Sequence, residues 1–139
     1  MRTLVTGGLG MIGSHLVDAL LDRGDDVFVM DNLLTGRWEN LAHRAGDPRL
    51  RLVLADLRDP LPREIATASF DRIYHLASPA SPRDYGRYPV ETLLTNAIGT
   101  AHMLDLALVT GARFLLASTS EVYGDPIVHP QPESYRGHV

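Results

Sequence analysis

Short apolar segments alternate along the chain with longer segments whose apolar residues recur at helical spacing. The apolar segments cover residues 2–6, 27–30, 51–55, 72–77 and 113–117, and each has the length of a β-strand. Residues 27–30 are apolar at every position, which favours a parallel strand covered on both faces. Strands that alternate with helices predict a parallel sheet joined by right-handed crossovers.

Two segments are predicted to be the main helices. Residues 12–23 form the first, which Gly24 ends, and one face of it is predicted to carry Ile12, Leu16, Ala19 and Leu20, with Arg23 at the edge of that face. Residues 90–110 form the longest helix, which Gly111 ends. Its apolar residues at helical spacing are Leu93, Ala97, Ala101, Leu104 and Leu108.

In the doubly wound scheme five such strands take the order 3-2-1-4-5. We therefore predict an α/β fold with a doubly wound parallel sheet of the Rossmann type, in one domain that spans residues 1–139. Beyond Gly124 the chain is rich in Pro, His and Gly and has no periodicity. No sequence is left for a sixth strand, so we expect an incomplete domain, truncated after the fifth strand.

Composition excludes several classes of protein. Hydrophobic residues make up 45% of the chain and charged residues 22%, which is typical of a folded domain and argues against disorder or a coiled coil. The net charge of -4 gives no basic surface for nucleic acid or an anionic membrane. The absence of cysteine excludes disulfides and thiolate metal sites, and no metal site is predicted. All 13 basic residues are arginines, so no lysine is available for catalysis.

The N-terminal segment indicates a cytoplasmic protein. It reaches glycine at Gly7, too early for the apolar region of a signal peptide. No apolar run is expected to approach the roughly 18 residues of a membrane span.

Glycines at positions 7, 10 and 13 stand between the first strand and the first helix. Their spacing, G-x-x-G-x-x-G, differs from the common dinucleotide fingerprint, but the physical roles are the same. Gly7 can make a tight turn, Gly10 lets the backbone approach a pyrophosphate, and Gly13 lets the helix lie close to the strand. The free amides at the helix N-terminus would then bind phosphate. The alternative is a turn that uses glycine with no ligand.

A carboxylate follows the second strand at Asp31, 18 residues after Gly13. At this position it can accept hydrogen bonds from ribose hydroxyls, and it would repel a ribose 2′-phosphate, which favours NAD over NADP. Arg37 could accommodate that phosphate, although a solvated loop arginine is the preferred interpretation. We expect Asp56, after the third strand, either to contact an adenine amino group together with Leu57 or to stabilise a turn.

Small and polar residues follow the fourth and fifth strands. Residues 76–78 leave room for a nicotinamide ribose at the switch point of the sheet. Residues 118–121 place three hydroxyls and a carboxylate after the fifth strand, where they could orient a substrate hydroxyl and move a proton. The alternative is a helix cap, with Glu121 in a capping box.

Together these motifs resemble a known family. They are residues 6–13, Asp31-Asn32, Thr35-Gly36-Arg37, residues 74–82, Thr95-Asn96, residues 98–100 and residues 116–126. With them the chain resembles the N-terminal part of the extended short-chain dehydrogenase/reductases, the NAD-dependent epimerase/dehydratase family. The resemblance is strongest to the UDP-glucuronate decarboxylases, which form UDP-xylose.

The resemblance implies NAD as the cofactor and a set of contacts to it. These are Gly7, Gly10, Met11, Ile12, Gly13, Asp31, Asn32, Thr35, Gly36, Asp56, Leu57, Leu76, Ser78 and Thr95. It implies that Thr119 supplies the hydroxyl of a Ser/Thr-Tyr-Lys triad and Glu121 an acid/base carboxylate. Tyr85 and Ser120 would lie near the sugar, and His75 is expected to be packed rather than catalytic.

The resemblance also implies a reaction and an assembly. The reaction is decarboxylation of a nucleotide sugar of the UDP-glucuronate type through a 4-keto intermediate, in a homodimer that packs the helix at 90–110 against its partner. Because Tyr-x-x-x-Lys is absent, the 139 residues alone are expected to be inactive and to expose an apolar helix face that promotes association. The alternatives are a 4-epimerase or 4,6-dehydratase, which Leu94 favours because it stands where a lysine is expected, or a non-catalytic NAD-binding module.

Overall fold

The computed structural model describes all 139 residues, and its sheet has the predicted topology. Five parallel strands pair in the order β3-β2-β1-β4-β5. The strands are β1 Arg2–Thr6, β2 Asp26–Asp31, β3 Leu50–Leu54, β4 Arg72–His75 and β5 Arg113–Leu116. The prediction of a doubly wound α/β fold is confirmed, and all five strands end at the same edge of the sheet.

Helices form the crossovers between the strands. They are α1 Met11–Asp22, α2 Arg63–Ala66, α3 Pro82–Arg87, α4 Pro89–Leu94 and α5 Thr100–Thr110. A π-helical turn at Thr95–Gly99 joins α4 to α5, and 3-10 turns lie at Trp38–Arg44 and Ser120–Tyr123. The long helix predicted at 90–110 therefore changes its winding near its middle, a feature that often marks a functional site.

Apolar side chains cover both faces of the sheet because successive strand residues point to opposite sides. On one face Leu4 and Ile73 pack with Met103 and Leu106 of α5. On the other face strand residues pack against α1, and that cluster includes Val5, Val17, Leu20, Leu21, Val27 and Val29. Covering both faces is what a parallel sheet requires.

The buried face of α1 differs from the predicted one. Gly13 and Val17 are buried, whereas two residues predicted for the core, Ile12 and Ala19, are exposed. The cause is the close approach of the helix to the preceding loop, where a Cβ on Gly13 would lie 2.1 Å from the Gly7 carbonyl oxygen. This contact sets the rotation of the helix, so the prediction from apolar spacing was correct for Leu16 and Leu20, which pack in the core, and wrong for Ile12 and Ala19.

The long helix has two apolar faces. Met103, Leu106 and Ala107 are buried against the sheet. The residues predicted from helical spacing lie on the other face, which is exposed as expected for this chain: Leu93, Ala97, Ala101, Leu104 and Leu108, the last of which is 82% exposed. An apolar stripe on the surface is therefore a property of this chain.

The segment Pro89–Thr110 is long and apolar enough to cross a membrane, by length and composition alone. The expectation concerned an uninterrupted apolar run, and this segment meets the criterion only on average because Glu91 and Asp105 interrupt it. One such helix is weak evidence for a membrane span, since a core helix of a soluble protein passes the same test. Part of this helix packs on the sheet through Met103 and Leu106.

Candidate functional site

A cleft at the carboxyl edge of the sheet brings together most of the residues predicted to bind a cofactor. The predicted residues that line it are Gly7, Gly10, Asp31, Asn32, Thr35, Gly36, Asp56, Leu57, Leu76, Ser78 and Thr95. Ala77, within the predicted segment 76–78, also lines it, and the lining residues that were not predicted are Met30, Leu34, Ala55 and Pro79. These are mostly apolar neighbours of predicted residues, so their position beside the motifs was the available signal.

The glycine loop after β1 makes contacts that only glycine allows. Gly7 has a φ of +71°, a left-handed conformation that favours glycine. A Cβ there would also lie 2.8 Å from the Cα of Ala77, in the loop after β4. At Gly10 a Cβ would meet a single atom, the Gly7 carbonyl oxygen at 3.2 Å. The loop is therefore packed tightly at Gly7 and open at Gly10.

Helix α1 begins at the cleft and presents unpaired donors there. Its N-cap is Gly10, which lines the cleft and has no side chain to cap the helix. The first main-chain hydrogen bond of the helix runs from Ser14 to the Gly10 carbonyl, at 3.0 Å. The peptide N–H groups of Met11, Ile12 and Gly13 have no acceptor in the protein. Free donors and the positive end of the helix dipole therefore lie together at the cleft.

The side chains of Met11 and Ile12 are 75% and 67% exposed and do not line the cleft. Gly13 is buried beneath the loop and does not line it either. The groups that these three predicted residues offer to a ligand at the start of the helix are their unpaired main-chain amides.

Asp31 holds a fixed carboxylate on the wall of the cleft. The residue is 8% exposed, and its Oδ2 and Oδ1 accept hydrogen bonds from the amides of Leu9 at 3.0 Å and Leu33 at 2.8 Å. The second bond belongs to a tight turn in which Leu33 adopts a φ of +59°. A Cβ on Gly36 would lie 2.9 Å from Oδ1. Each oxygen keeps a free lone pair, so the carboxylate can still accept from a ligand.

Asp56 is held more completely than Asp31. Its Oδ1 accepts from the amide and Nε of Arg58, and its Oδ2 accepts from Nη2 of Arg58 and Nδ2 of Asn32, all at 2.8–2.9 Å. The Arg58 guanidinium holds the pKa of Asp56 well below its usual range. Asp56 therefore stabilises a turn, which was one of its two expected roles. Its oxygens already accept four hydrogen bonds, so little capacity is left to accept one from an adenine amino group. The amide of Leu57, in contrast, has no acceptor in the protein.

Two polar residues of the π-helical turn lie near residues 76–78, the part of the cleft where a nicotinamide ribose is predicted. Thr95 is 7% exposed and lines the cleft. The neighbouring Asn96 donates from Nδ2 to Ser78 Oγ at 3.1 Å, which ties the turn to the end of β4. Asn96 was not among the predicted contacts, although it forms part of the Thr95-Asn96 motif.

His75 lies beneath this end of the cleft and joins three elements. Its Nδ1 is 2.7 Å from Thr6 Oγ1 in β1, and its Nε2 is 3.0 Å from Thr100 Oγ1 in α5. Burial lowers the pKa of His75 to about 4, so the ring is neutral near pH 7. The geometry agrees with the packed role expected for this residue.

The residues predicted to act on substrate do not line the cleft. Thr119 Oγ1 accepts from the Glu121 amide and donates to Glu121 Oε2, both at 3.3 Å, and so caps the turn Ser120–Tyr123. This is the helix cap that the sequence offered as the alternative to a catalytic role. Thr119, Ser120 and Glu121 are exposed. Tyr85 is half-buried in α3. The Ala117 amide donates to the His75 carbonyl at 3.0 Å, so the loop after β5 starts beside the end of β4.

The sequence pattern of one protein family, described as GDP-mannose 4,6 dehydratase, matches residues 4–138. The chain belongs to this family. The match extends from β1, through the glycine loop and the cleft, into the segment after β5, so all of the site residues lie within it.

Known proteins are similar to this chain over nearly all of its length. UDP-glucuronic acid decarboxylase 1 of Arabidopsis thaliana is 55% identical over 139 residues, which are 100% of this chain and 31% of the plant protein. The protein of the same name from Xenopus tropicalis is 55% identical over 99% of this chain and 32% of its own length. The chain therefore spans about a third of the length of these relatives.

A solved structure with ligands has the same fold. The dTDP-glucose 4,6-dehydratase DesIV from Streptomyces venezuelae, with NAD and TYD bound, superimposes with a TM-score of 0.86. It is 38% identical, and the match covers 99% of this chain and 45% of DesIV. The resemblance to the epimerase/dehydratase family is confirmed.

Proposed function

We propose that the cleft binds NAD. The observation that carries this proposal is that helix α1, with its unpaired N-terminal amides, begins at a cleft whose wall holds a buried carboxylate. The amides of residues 11–13 suit a pyrophosphate, and Asp31 suits the diol of the neighbouring ribose. The open position at Gly10 leaves space for the phosphate, which a side chain would fill. The NAD bound in DesIV supports this assignment.

We propose NAD rather than NADP because of the position of Asp31. Its carboxylate is fixed by two amides and cannot turn away from a ribose 2′-phosphate. The repulsion between the two negative groups would weaken NADP binding.

We further propose that the protein containing this chain is a UDP-glucuronate decarboxylase, a proposal supported by relatives of that name at 55% identity. When bound, NAD would supply reversible hydride transfer at the sugar ring. Thr119 would hold the reacting hydroxyl, and Glu121 would hold or move a proton near the ring. Both are exposed at the carboxyl edge, where a second ligand can reach them. Tyr85 and Ser120 would contact the sugar.

We propose that these 139 residues bind NAD without turnover. A tyrosine–lysine pair is the expected base of the reaction, and the chain has no lysine. We also propose that the exposed apolar stripe of the long helix, from Leu93 to Leu108, forms a homodimer interface. A cytoplasmic location remains a prediction.

Calorimetry with NAD tests the first proposal. The chain should bind NAD more tightly than NADP, and Asp31→Asn should weaken NAD binding by about tenfold, the effect of losing one charged hydrogen-bond acceptor. The matched control is Asp26→Asn, an exposed aspartate at the start of the same strand. Circular dichroism checks that both variants fold. If the folded chain takes up no NAD, the proposal is wrong.

An activity assay tests the second proposal. The complete protein should release carbon dioxide from UDP-glucuronate and form UDP-xylose. Loss of water from a nucleotide sugar, with no release of carbon dioxide, would instead indicate a 4,6-dehydratase.

A further inference from the structure

A second cleft adjoins the candidate NAD site and is lined by arginines. It lies between the loop after β2, residues 33–37, and helix α3, and its volume is about 550 Å³. The two clefts share Leu34, Thr35 and Gly36 as a common wall. The second cleft is called the arginine cleft here, after Arg37, Arg83 and Arg87.

The three guanidinium groups of the arginine cleft have no acidic partner. Of the ten other arginines in the chain, four form salt bridges with aspartates, namely Arg23, Arg44, Arg49 and Arg58, so what sets the cleft apart is that three arginines line the same space. None of the three cleft arginines forms one. In a chain whose net charge is -4, three unpaired cations in one cleft are a marked local concentration of positive charge.

The single carboxylate in the arginine cleft does not balance this charge. Asp84 accepts a hydrogen bond from Ser81 Oγ at 2.7 Å, and the Asp84 amide donates to the same hydroxyl at 3.1 Å. This pairing caps α3 and holds the carboxylate at the start of the helix. The side chain of Arg87 packs over the ring of Tyr88, with 5.2 Å from the guanidinium carbon to the ring centroid. That contact limits the directions in which Arg87 can point.

We propose that the arginine cleft binds a phosphate group of a nucleotide, next to the dinucleotide in the neighbouring cleft. Guanidinium groups bind phosphate through paired charge-assisted hydrogen bonds, and three of them suit a group with several charged oxygens better than a single carboxylate. The proposal goes beyond NAD binding and rests on the proposed function only for the identity of the neighbouring ligand. The phosphate would come from the diphosphate of a second nucleotide, and the 2′-phosphate of NADP, which Asp31 disfavours, is the alternative source that the test distinguishes.

Calorimetry with inorganic pyrophosphate, on the 139-residue chain saturated with NAD, tests this site. Pyrophosphate should bind, and Arg83→Ala/Arg87→Ala should weaken binding by about tenfold or more, since two charge-assisted contacts are lost. The matched control is Arg63→Ala/Arg113→Ala, which removes the same charge from two exposed arginines outside the cleft. Binding by the control should stay close to that of the wild type.

Three further measurements identify the source of the phosphate and separate this site from the NAD site. Binding of UDP that weakens in the Arg83→Ala/Arg87→Ala protein would support a second nucleotide. Binding of NADP that is tighter than that of NAD, with the difference lost in the same protein, would support a ribose 2′-phosphate. NAD affinity itself should be unchanged in that protein and reduced only by Asp31→Asn.

Two results would overturn the proposal. One is the absence of pyrophosphate binding by NAD-loaded wild type. The other is equal pyrophosphate affinity in the wild type and in Arg83→Ala/Arg87→Ala. Neither result bears on NAD binding, which the Asp31→Asn comparison tests separately.

Discussion

Replacing Gly13 with alanine would test the close approach of α1 to the end of β1. The new Cβ would lie 2.1 Å from the Gly7 carbonyl oxygen and 2.8 Å from the Gly8 Cα, whereas ordinary contacts begin at 3.4 Å. Both atoms belong to the backbone and cannot rotate away, so the helix or the loop must move by about 1 Å. Overpacking of this kind costs about 1–3 kcal/mol, offset by less than about 1 kcal/mol of helix propensity.

Urea denaturation followed by circular dichroism measures this effect. We expect Gly13→Ala to lower the free energy of unfolding by about 2 kcal/mol. The control is Gly86→Ala in α3, where a Cβ would meet nothing within 4 Å, and we expect it to leave stability unchanged or slightly raised. If Gly13→Ala and Gly86→Ala have the same stability, the close contact does not constrain the helix.

Gly10→Ala separates ligand binding from folding. Its Cβ would meet only the Gly7 carbonyl oxygen, at 3.2 Å, so the chain should fold with little loss of stability. The methyl group would occupy the space in which the pyrophosphate approaches the N-terminus of α1, so NAD affinity should fall by about tenfold or more. Unchanged NAD affinity would place the pyrophosphate elsewhere.

Three further outcomes are expected. The pKa of His75 is about 4 in the folded chain and about 6.5 in the unfolded chain, so the unfolded chain binds a proton more readily between these values. The free energy of unfolding should therefore be highest above pH 6.5 and fall by about 3 kcal/mol as the pH drops to 4. Urea titrations over this pH range should show a smaller loss of stability in His75→Gln than in the wild type. If stability falls equally with pH in both proteins, His75 is not the group responsible. Leu104→Glu/Leu108→Glu should reduce the association of the chain seen by light scattering, and a monomeric wild type at high concentration would argue against the dimer. Gly111→Ala should cost about 1 kcal/mol in chemical denaturation because Gly111 has a φ of +70°, and an unchanged midpoint would show that the helix end relaxes.

Local pattern was enough to predict the sheet and the residues around the candidate NAD site. A run such as 27–30 is strand-like by itself, and the handedness of the crossovers then restricts the strand order. Because parallel strands all end at one edge, Gly10, Asp31 and Ser78 had to lie near one another once the order was known. That is why motif positions far apart in the chain could be assigned to one cleft.

The tertiary structure decided which surfaces are buried and which polar groups are free. Periodicity could not choose the buried face of α5, since Met103 and Leu108 both lie at apolar helical positions and only contact with the sheet distinguishes them. The rotation of α1 depends on the distance between Gly13 and Gly7, which no local pattern contains.

Charge pairing also depends on the fold. Arg58 and Asn32 use the lone pairs of Asp56, although sequence alone left that carboxylate open for adenine. Arg37 and Arg83 lie 46 positions apart in the sequence and line one cleft only because the fold brings the loop after β2 and the helix after β4 together, although β1 separates the two strands in the sheet. The chain alone thus determines the elements and their order, while contacts between distant residues determine which atoms remain available to a ligand.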